Sequence, residues 1–238
     1  MKRGLFVIGT DTGVGKTLIA GALARLLSSQ GVDVGVMKPI ETGCRLWKGD
    51  LLPADGAYLQ SAARTTDSID LDAPYRYRDP LAPWVASQRE KRKIDFREIV
   101  QVYDRLRKRH SFLIVEGVGG LMVPLTQRFD LIDLILLLDL PVLLVARSGL
   151  GTLNHTLLTL RYGSEQGLRF LGIILNQNQP RKTLADQTNL ETLRERTDAS
   201  LLGRFPFFKK LGTREKNIER SKELLIEKIS IDQLMLNF

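Results

Sequence analysis

The stretch GTDTGVGKT, residues 9–17, stands between the apolar run LFVI and the helix-like segment LIAGALARLL. A strand, a glycine-containing turn and a helix form the arrangement in which unpaired helix N–H groups and the helix dipole hold a phosphate. We therefore predict a phosphate-binding loop. In it Gly15 allows close backbone approach, Lys16 supplies a positive charge and Thr17 supplies a hydroxyl for Mg²⁺.

The first glycine of this loop lies one residue earlier than in the usual G-x-x-x-x-G-K-[ST] pattern, because Thr10 occupies the expected position. Gly9 then ends the strand, and Thr10, Asp11 and Thr12 form a longer polar loop. We expect these three side chains to face whatever binds beyond the γ-phosphate. A loop of this kind suits an enzyme that passes the phosphoryl group to a second substrate.

Short apolar runs alternate with segments of helical period along the 238 residues. The predicted strands are 4–9, 34–38, 112–116, 142–146 and 171–175. The predicted helices are 16–30, 52–63, 95–109, 152–166, 183–196 and a last one near 219–229. Residues 131–140 suit a strand or a helix, and we favour a helix. The alternation predicts an α/β fold of the P-loop NTPase type, with a mainly parallel central sheet and helices on both faces, forming a single domain over residues 1–238.

The composition is that of a globular protein, with 43% hydrophobic and 26% charged residues. Its one cysteine, Cys44, excludes a disulfide framework or a cysteine-based zinc site within one chain. The longest apolar stretch, 131–146, is interrupted by Asp133, Asp139 and Pro141, so it predicts buried core and not a membrane span. We expect a cytoplasmic protein with no signal peptide and no membrane partner.

The formal net charge of +8 raises the question of a polyanionic partner. The basic residues are spread over 88–93, 105–110 and the segment from Arg204 to Lys228, and no aromatic stacking motif accompanies them. We therefore expect no nucleic-acid partner.

The segment VMKPIETG, residues 36–43, brings a lysine to the end of a predicted strand. Pro39 prevents regular continuation after Lys38, and the carboxyl ends of parallel strands are where ligands of open α/β sheets bind. We therefore expect Lys38 to reach into the site and not to lie in solvent. Thr42 and Gly43 form a polar turn beside it.

The segment FLIVEGVGG, residues 112–120, is an apolar strand that ends in an acid. This is the Walker-B arrangement, in which the carboxylate of Glu116 reaches Mg²⁺ directly or through water. The glycines at 117, 119 and 120 would let the backbone approach phosphates.

The segment ARSGLGTLNH, residues 146–155, is a third strand–turn–helix junction. It suits a second anion, either a carboxylate or a phosphate. Thr152 equally suits a simple helix cap. Neither His155 nor His110 is assigned a catalytic role.

Two further polar positions stay open on their spacing alone. Asp55 lies near a helix start, where the dipole favours an acid, and nothing in its spacing marks a metal ligand. Asn176 ends a predicted strand, so its amide suits a base edge or an ordinary polar strand end.

Together these segments resemble the dethiobiotin synthase family. The resemblance is carried by GTDTGVGKT at 9–17, KPIETG at 38–43, ADGAYL at 54–59, DPLAPWVAS at 79–87, VEGVGGLMVPL at 115–125, GLGTLNHTLLT at 149–159, LNQ at 175–177 and GRFP at 203–206. It implies an ATP- and Mg²⁺-dependent cyclo-ligase of biotin biosynthesis, acting on 7,8-diaminononanoate and CO₂ as a homodimer. One amine would be held as a carbamate, whose oxygen attacks the γ-phosphate. The second amine would close the ring and expel phosphate.

The resemblance also implies roles for individual residues. The catalytic residues would be Lys16, Lys38 and Thr12. The Mg²⁺ ligands would be Thr17, Asp55 and Glu116. The substrate would contact Thr12, Lys38, Thr42, Gly151 and Asn154, the last two across the homodimer interface. The nucleotide would contact Gly13, Val14, Gly15, Lys16, Thr17, Leu18, Asp55, Glu116, Gly117, Val118, Gly119, Asn176, Gln177, Pro206, Phe207 and Phe208.

Two segments depart from the family pattern. Glu41 stands where small residues are usual, and we expect it to alter the substrate mouth. The segment after Pro206, FFKKLGTREKN, is basic and differs from the expected pattern, so the nucleotide selectivity transfers less securely than the chemistry.

A different functional class shares the loop: partition and septum-site ATPases, which dimerise on ATP and bind DNA, membranes or partner proteins. Those proteins carry a signature lysine early in the loop, where this chain has Asp11. Corrin amidoligases need a glutaminase domain with a catalytic cysteine, and Cys44 is unsuitably placed. The sequence favours the cyclo-ligase.

Overall fold

The computed structural model describes residues 4–236, and a six-stranded sheet forms its centre. The strands of the chain are β1 (Gly4–Gly9), β2 (Val34–Met37), β3 (Ile40–Thr42), β4 (Arg45–Trp47), β5 (Asp50–Leu52), β6 (Tyr75–Tyr77), β7 (Phe112–Glu116), β8 (Val142–Arg147), β9 (Phe170–Asn176) and β10 (Leu201–Phe205). The central sheet has the order β10-β9-β8-β1-β7-β2, and all its strand pairs are parallel. The short pairs β3–β6 and β4–β5 lie outside it.

Helices connect these strands. They are α1 (Lys16–Ser29), α2 (Ala54–Ala63), α3 (Ile69–Asp72), α4 (Pro83–Arg89), α5 (Phe96–Arg109), α6 (Leu131–Leu138), α7 (Thr152–Glu165), α8 (Leu184–Arg196), α9 (Arg214–Lys228) and α10 (Ile231–Leu236). Among residues 4–236, none of these helices combines the length and the apolar character that a membrane crossing requires.

The predicted α/β fold is confirmed, with all five predicted strands and the favoured helix at 131–140 present. The prediction omitted β10 and the short outer strands. It also began the last long helix near residue 219, whereas α9 begins at Arg214. The structure explains that earlier start, because the Thr213 side chain accepts the Lys216 N–H and caps the helix.

Alternate residues of β1 enter different cores. Leu5 and Val7 pack with the α1, α2 and α9 side, and Phe6 and Ile8 pack with the α5 and α6 side. Successive side chains of a strand point to opposite faces, so a strand that is apolar throughout requires cover on both faces. The helices provide that cover.

The order of the sheet places the ends of β1 and β7 at its centre. The chain runs from β1 outward to β2, returns to β7 and then continues on the other side of β1 with β8. In open parallel sheets, ligands bind beyond the carboxyl ends of strands where the direction of winding changes. The loops that follow β1 and β7 leave the sheet at this point.

A fully buried guanidinium joins the three helices on one face. Arg25 on α1 lies 2.9 Å from a Glu215 carboxylate oxygen and 3.1 Å from one of Glu219, both on α9. It also donates a 2.7 Å hydrogen bond to the carbonyl oxygen of Ser61 on α2. Arg25 is buried, whereas the Glu215 and Glu219 side chains are 57% and 32% exposed. Loss of the glutamates would leave the buried guanidinium without its counter-charge, so these contacts hold α9 against α1 and α2.

Candidate active site

A cavity of about 540 Å³ opens at the carboxyl ends of β1 and β7, and we call it the first cavity. It brings together many of the residues that the sequence singled out: Thr12, Gly13, Gly15, Lys16, Thr17, Lys38, Thr42, Asp55, Glu116, Val118 and Gly119. The remaining lining residues are Glu41, Pro80, Leu81, Ala82, Pro83 and Val123. The site therefore has a charged floor and an apolar wall. The wall is formed by residues 80–83, just before and at the start of α4.

The phosphate loop ends on a left-handed residue. Gly15 is the N-cap of α1 with φ 103° and no side-chain cap, so the first N–H groups of the helix lack a side-chain partner there. Asn176 at the end of β9 packs against this turn and donates a 2.8 Å hydrogen bond to the Val14 carbonyl oxygen. The turn is thus held open for an anion by a neighbouring strand.

Lys16 turns back over its own loop. Its ammonium donates hydrogen bonds to the carbonyl oxygens of Asp11 at 2.9 Å and Gly119 at 3.0 Å. Burial, followed by the positive charge of Lys38, lowers the pKa of Lys16 to about 8. A β-carbon at Gly9 would lie 2.8 Å from the Asp11 carbonyl oxygen and 2.7 Å from a Val14 methyl carbon, which explains why the glycine stands at position 9.

Only part of the polar loop before Gly13 lines the first cavity. Thr12 lines the first cavity as predicted. The prediction is wrong for Thr10, whose hydroxyl is buried, and for Asp11, whose exposed carboxylate accepts the Thr12 N–H at 2.7 Å. The longer loop thus places one hydroxyl, not three polar groups, at the cavity.

Lys38 is the centre of a buried charge cluster. Its ammonium lies 2.6 Å from a Glu116 carboxylate oxygen and 3.2 Å from an Asp55 carboxylate oxygen, and it donates a 3.1 Å hydrogen bond to the Gly117 carbonyl oxygen. Burial opposes the charge, but Glu116 and Asp55 outweigh it and hold the pKa of Lys38 above its ordinary value. Burial raises the pKa of Glu116, and the Lys38 charge opposes that rise.

The oxygen atoms around this cluster fit a magnesium ion. The Thr17 hydroxyl donates a 2.8 Å hydrogen bond to one Glu116 oxygen, whereas the other Glu116 oxygen is buried and has no hydrogen-bond partner among the described residues. Within residues 4–236, no group of three or more His, Cys, Asp or Glu side chains is arranged to hold a metal. Mg²⁺ in nucleotide sites uses one or two carboxylates and completes its shell with phosphates and water, which matches this donor set.

Glu41 has a contact that the sequence did not reveal. Its carboxylate lines the first cavity, and its two oxygens accept the N–H groups of Asp55 and Gly56 at 3.0 Å each. The effect that we predicted for Glu41 on the substrate mouth stays a prediction. The residues that it caps lie 14 and 15 positions away in sequence, so local pattern could not indicate the contact.

A second cavity of about 520 Å³ adjoins the first. The two share Gly15, Thr17 and Asp55, and the second is further lined by Leu18, Ala54, Tyr58, Phe208, Lys210, Arg214 and Asn217. Besides the three shared residues, the structure places two more of the predicted nucleotide residues here, Leu18 and Phe208. The predicted residues that line neither cavity are Val14, Gly117, Asn176, Gln177, Pro206 and Phe207. The Gln177 and Asn176 amide oxygens are buried without a partner in the described chain.

The glycine turn before α7 lies apart from both cavities. Within the described chain, Gly151 and Asn154 do not line the cavities of their own protomer. The buried hydroxyls of Thr152 and Thr156 lie 3.2 Å apart, and the Thr152 side chain does not cap the helix. Leu150 at the tip of the turn is 88% exposed.

Sequence comparison identifies close relatives over nearly the whole chain. The chain is 41% identical to an ATP-dependent dethiobiotin synthetase from Thermodesulfovibrio yellowstonii over 99% of both chains. It is also 38% identical to one from Bacillus cereus, over 95% of this chain and 93% of the relative. The chain belongs to the dethiobiotin synthetase family. A family model described as an AAA domain also matches residues 3–215 of this chain.

Two solved structures share the fold of this chain at lower sequence identity. A septum site-determining protein MinD complexed with Mg-ADP, from Pyrococcus horikoshii, superposes with a TM-score of 0.60 at 17% identity and covers 100% of this chain and 94% of its own. A ParA family ATPase from Chlorobium tepidum gives 0.56 at 14% identity and covers 100% and 99%. At such identities the likeness concerns the fold alone.

Proposed function

We propose that this chain catalyses the ATP- and Mg²⁺-dependent ring closure of 7,8-diaminononanoate with CO₂ to dethiobiotin. The observation that carries the proposal is the pair of cavities that share Gly15, Thr17 and Asp55. A nucleotide in the second cavity would direct its terminal phosphate to this shared border, where a substrate in the first cavity can meet it. Family membership supports the same reaction.

The first step is phosphoryl transfer to a carbamate formed from one substrate amine and CO₂. A carbamate oxygen bonds to the γ-phosphorus, and the bond from that phosphorus to the β,γ-bridging oxygen breaks, releasing ADP. Lys16 and Lys38 would neutralise the charge on the transferring group, and the Thr12 hydroxyl would orient the carbamate. Because its pKa is held above the ordinary value, Lys38 acts here as a cation and not as a base.

The second step closes the ring. The remaining amine bonds to the carbonyl carbon of the mixed anhydride, the carbon–oxygen bond to phosphate breaks, and the amine gives up a proton. The first cavity would hold the amine near that carbon, with Thr42 at its polar side and the apolar wall from Pro80 to Pro83 beside the alkyl chain. Mg²⁺ on Thr17, Asp55 and Glu116 would neutralise phosphate charge when bound.

The nucleoside would occupy the second cavity beside Leu18 and Phe208. The amide oxygens of Asn176 and Gln177 are buried, have no partner in the described chain and line neither cavity. Their contact with adenine is proposed from the family resemblance, and it requires these side chains to move when the nucleotide binds. We further propose a cytoplasmic homodimer with no nucleic-acid or membrane partner. In that dimer Gly151 and Asn154 of one protomer would contact the substrate carboxylate bound to the other.

The test is ADP release measured with and without diaminononanoate and bicarbonate. Removal of a cation or a ligand acting on the transferring phosphoryl group costs about 100-fold or more in rate. We therefore expect Lys38→Ala and Glu116→Gln to lose at least that much while staying folded by circular dichroism. Lys108→Ala, which changes an exposed lysine on α5, is the control and should keep full activity.

Two outcomes would contradict the proposal. One is full activity in both Lys38→Ala and Glu116→Gln. The other is wild-type turnover that ignores diamine and bicarbonate and responds to DNA or lipid vesicles, which would favour the switch ATPase class.

A further inference from the structure

The helix that carries Asp55 begins without a cap of its own. The residue at the N-cap of α2 is Pro53, which has no side-chain hydrogen bond to offer. The N–H groups of Asp55 and Gly56 would otherwise be unpaired in the first turn, and unpaired buried N–H groups are costly. Both are satisfied from a distant segment, by the carboxylate of Glu41 on β3.

The Glu41 carboxylate is buried and uses both oxygens for this contact. The side chain belongs to a residue that is 5% exposed, and one oxygen accepts the Asp55 N–H while the other accepts that of Gly56. A carboxylate at a helix N-terminus also complements the helix dipole. The side chain is therefore held by the backbone of α2, which limits its freedom to follow a substrate in the cavity.

The contact connects the Lys38–Glu41 segment to the start of α2, and an ion pair also joins these two segments. Lys38 lies three residues before Glu41, and its ammonium is 3.2 Å from the Asp55 carboxylate. The strand segment thus contacts Asp55 twice, once at the side chain and once at the backbone. Two contacts at one residue fix both the position of its backbone and the direction of its carboxylate.

We propose that Glu41 is a positioning residue that holds Asp55 at the shared border of the two cavities for use as a Mg²⁺–nucleotide ligand. The inference rests on the proposed function, because it takes Asp55 as a ligand of nucleotide-bound Mg²⁺. Removing a group that orients a metal ligand typically lowers metal affinity about 10–100-fold. In this arrangement Glu41 acts through the α2 backbone, because both of its carboxylate oxygens accept N–H groups there.

The experiment separates positioning from simple helix capping. Glu41→Gln keeps the shape of the side chain but replaces one acceptor oxygen by a donor that faces an N–H. Asp95→Ala is the matched control, because the Asp95 carboxylate caps α5 by accepting the Arg97 N–H at 2.8 Å. Removing either cap should lower the unfolding temperature without ligand by about 2–4 °C.

Magnesium dependence is the readout that a cap alone would not change. ADP binding is measured by calorimetry at a series of Mg²⁺ concentrations. We expect Glu41→Gln to raise the half-saturating Mg²⁺ concentration about 10-fold, and to leave ADP affinity without Mg²⁺ unchanged. Asp95→Ala should match the wild type in both. A Glu41→Gln midpoint within twofold of wild type would overturn the inference.

A double variant tests whether the effect passes through Asp55. If it does, Asp55→Ala and Glu41→Gln/Asp55→Ala share one Mg²⁺ midpoint, whereas independent effects multiply. Multiplied effects would contradict the inference and leave the proposed function intact. Wild-type ADP binding that ignores Mg²⁺, with no ADP release on adding diamine and bicarbonate, would instead overturn the proposed function and the inference with it.

Discussion

The loop before α1 and the loop before α7 have similar backbones but different surrounding side chains. Each follows a strand of the central sheet and ends on a glycine with positive φ, 103° at Gly15 and 91° at Gly151. Each begins a helix of 14 residues with no side-chain cap. Both helix starts therefore offer unpaired N–H groups to an anion.

Charged side chains that line a cavity distinguish the first loop. Lys16 folds back onto it, Asn176 packs against Gly15, and the Glu116–Lys38 pair lies beside it. The second loop has an exposed tip at Leu150. The comparison teaches that the strand–glycine–helix turn only provides an anion-compatible backbone. Enclosure and charge come from the neighbours and turn one of the two loops into a candidate active site.

Side chains of α8 support the second loop. The Ser148 hydroxyl donates a hydrogen bond to the Asp186 carboxylate, and the Asn189 amide donates to the carbonyl oxygens of Ser148 at 2.8 Å and Gly149 at 3.1 Å. Both supporting residues lie on α8. This loop is thus fixed in shape while its tip at Leu150 is exposed.

Adding one methyl group to each N-cap glycine tests the comparison most strongly. A β-carbon at Gly15 would lie 2.2 Å from the Asn176 amide nitrogen, whereas one at Gly151 meets no atom within 4 Å. Both substitutions bear left-handed strain of about 1–2 kcal/mol. We expect Gly15→Ala to weaken ADP binding by roughly tenfold or more, because the β-carbon displaces the Asn176 side chain or the phosphate turn and each 1.4 kcal/mol lost there is about tenfold in Kd. Calorimetry should show Gly151→Ala within a few-fold of wild type, and equal losses in both would end the distinction.

A second test removes the Asn189 amide, which supports the loop before α7. Asn189→Ala removes the amide donor of the Ser148 carbonyl oxygen and leaves the Gly149 carbonyl oxygen with the Thr152 N–H alone. The loss of the Ser148 contact costs about 1–3 kcal/mol of unfolding free energy. Urea denaturation measures that loss. ADP affinity should be unchanged, since the first loop has no contact with this amide. A large fall in ADP affinity would show that the two loops are coupled.

Acid should loosen the second loop through Asp186. Burial would raise the pKa of this carboxyl, but hydrogen bonds from Ser148 and Thr183 and the nearby Arg204 charge outweigh it and hold the pKa below the ordinary value. A carboxyl with a lowered folded pKa stabilises the fold above its unfolded pKa of about 4 and loses that contribution as pH falls further. Unfolding free energies between pH 6 and 3 should show this loss in wild type and a smaller one in Asp186→Asn. Parallel curves would contradict it.

The smallest effect is expected at Thr152. Its hydroxyl pairs only with that of Thr156 among the contacts of the described chain, and it does not cap α7. Thr152→Val should therefore cost about 0.5–1.5 kcal/mol of unfolding free energy and change no binding constant. A loss of substrate affinity at constant stability would instead indicate that the hydroxyl serves an anion, the alternative that the sequence left open.

The sequence was sufficient for features that depend on local order along the chain. The loop at 9–17 could be predicted because strand, glycines and lysine are consecutive. Lys38 and Glu116 could be predicted because both end parallel strands, and such ends meet at one edge of a sheet. Their 2.6 Å contact follows from β2 and β7 being neighbours, which the sequence did not specify.

Features that depend on distant contacts could not be predicted. Gly203 and Arg204 interrupt the apolar pattern of β10, an edge strand with a register shift against β9. The inward turn of Thr10 and the capping of α2 by Glu41 each depend on atoms from other segments. Periodicity reports which face of an element is apolar and gives no information on which polar atoms pair across the fold.

The buried Arg25 makes the first helix depend on the last long one. Its carboxylate partners, Glu215 and Glu219, follow it by 190 and 194 residues. During synthesis at about 5–20 residues per second, the guanidinium therefore waits roughly 10–40 s for its counter-ions. The nucleotide loop is translated before Arg25, yet its supporting helix acquires its native ion pairs only after α9 has been made.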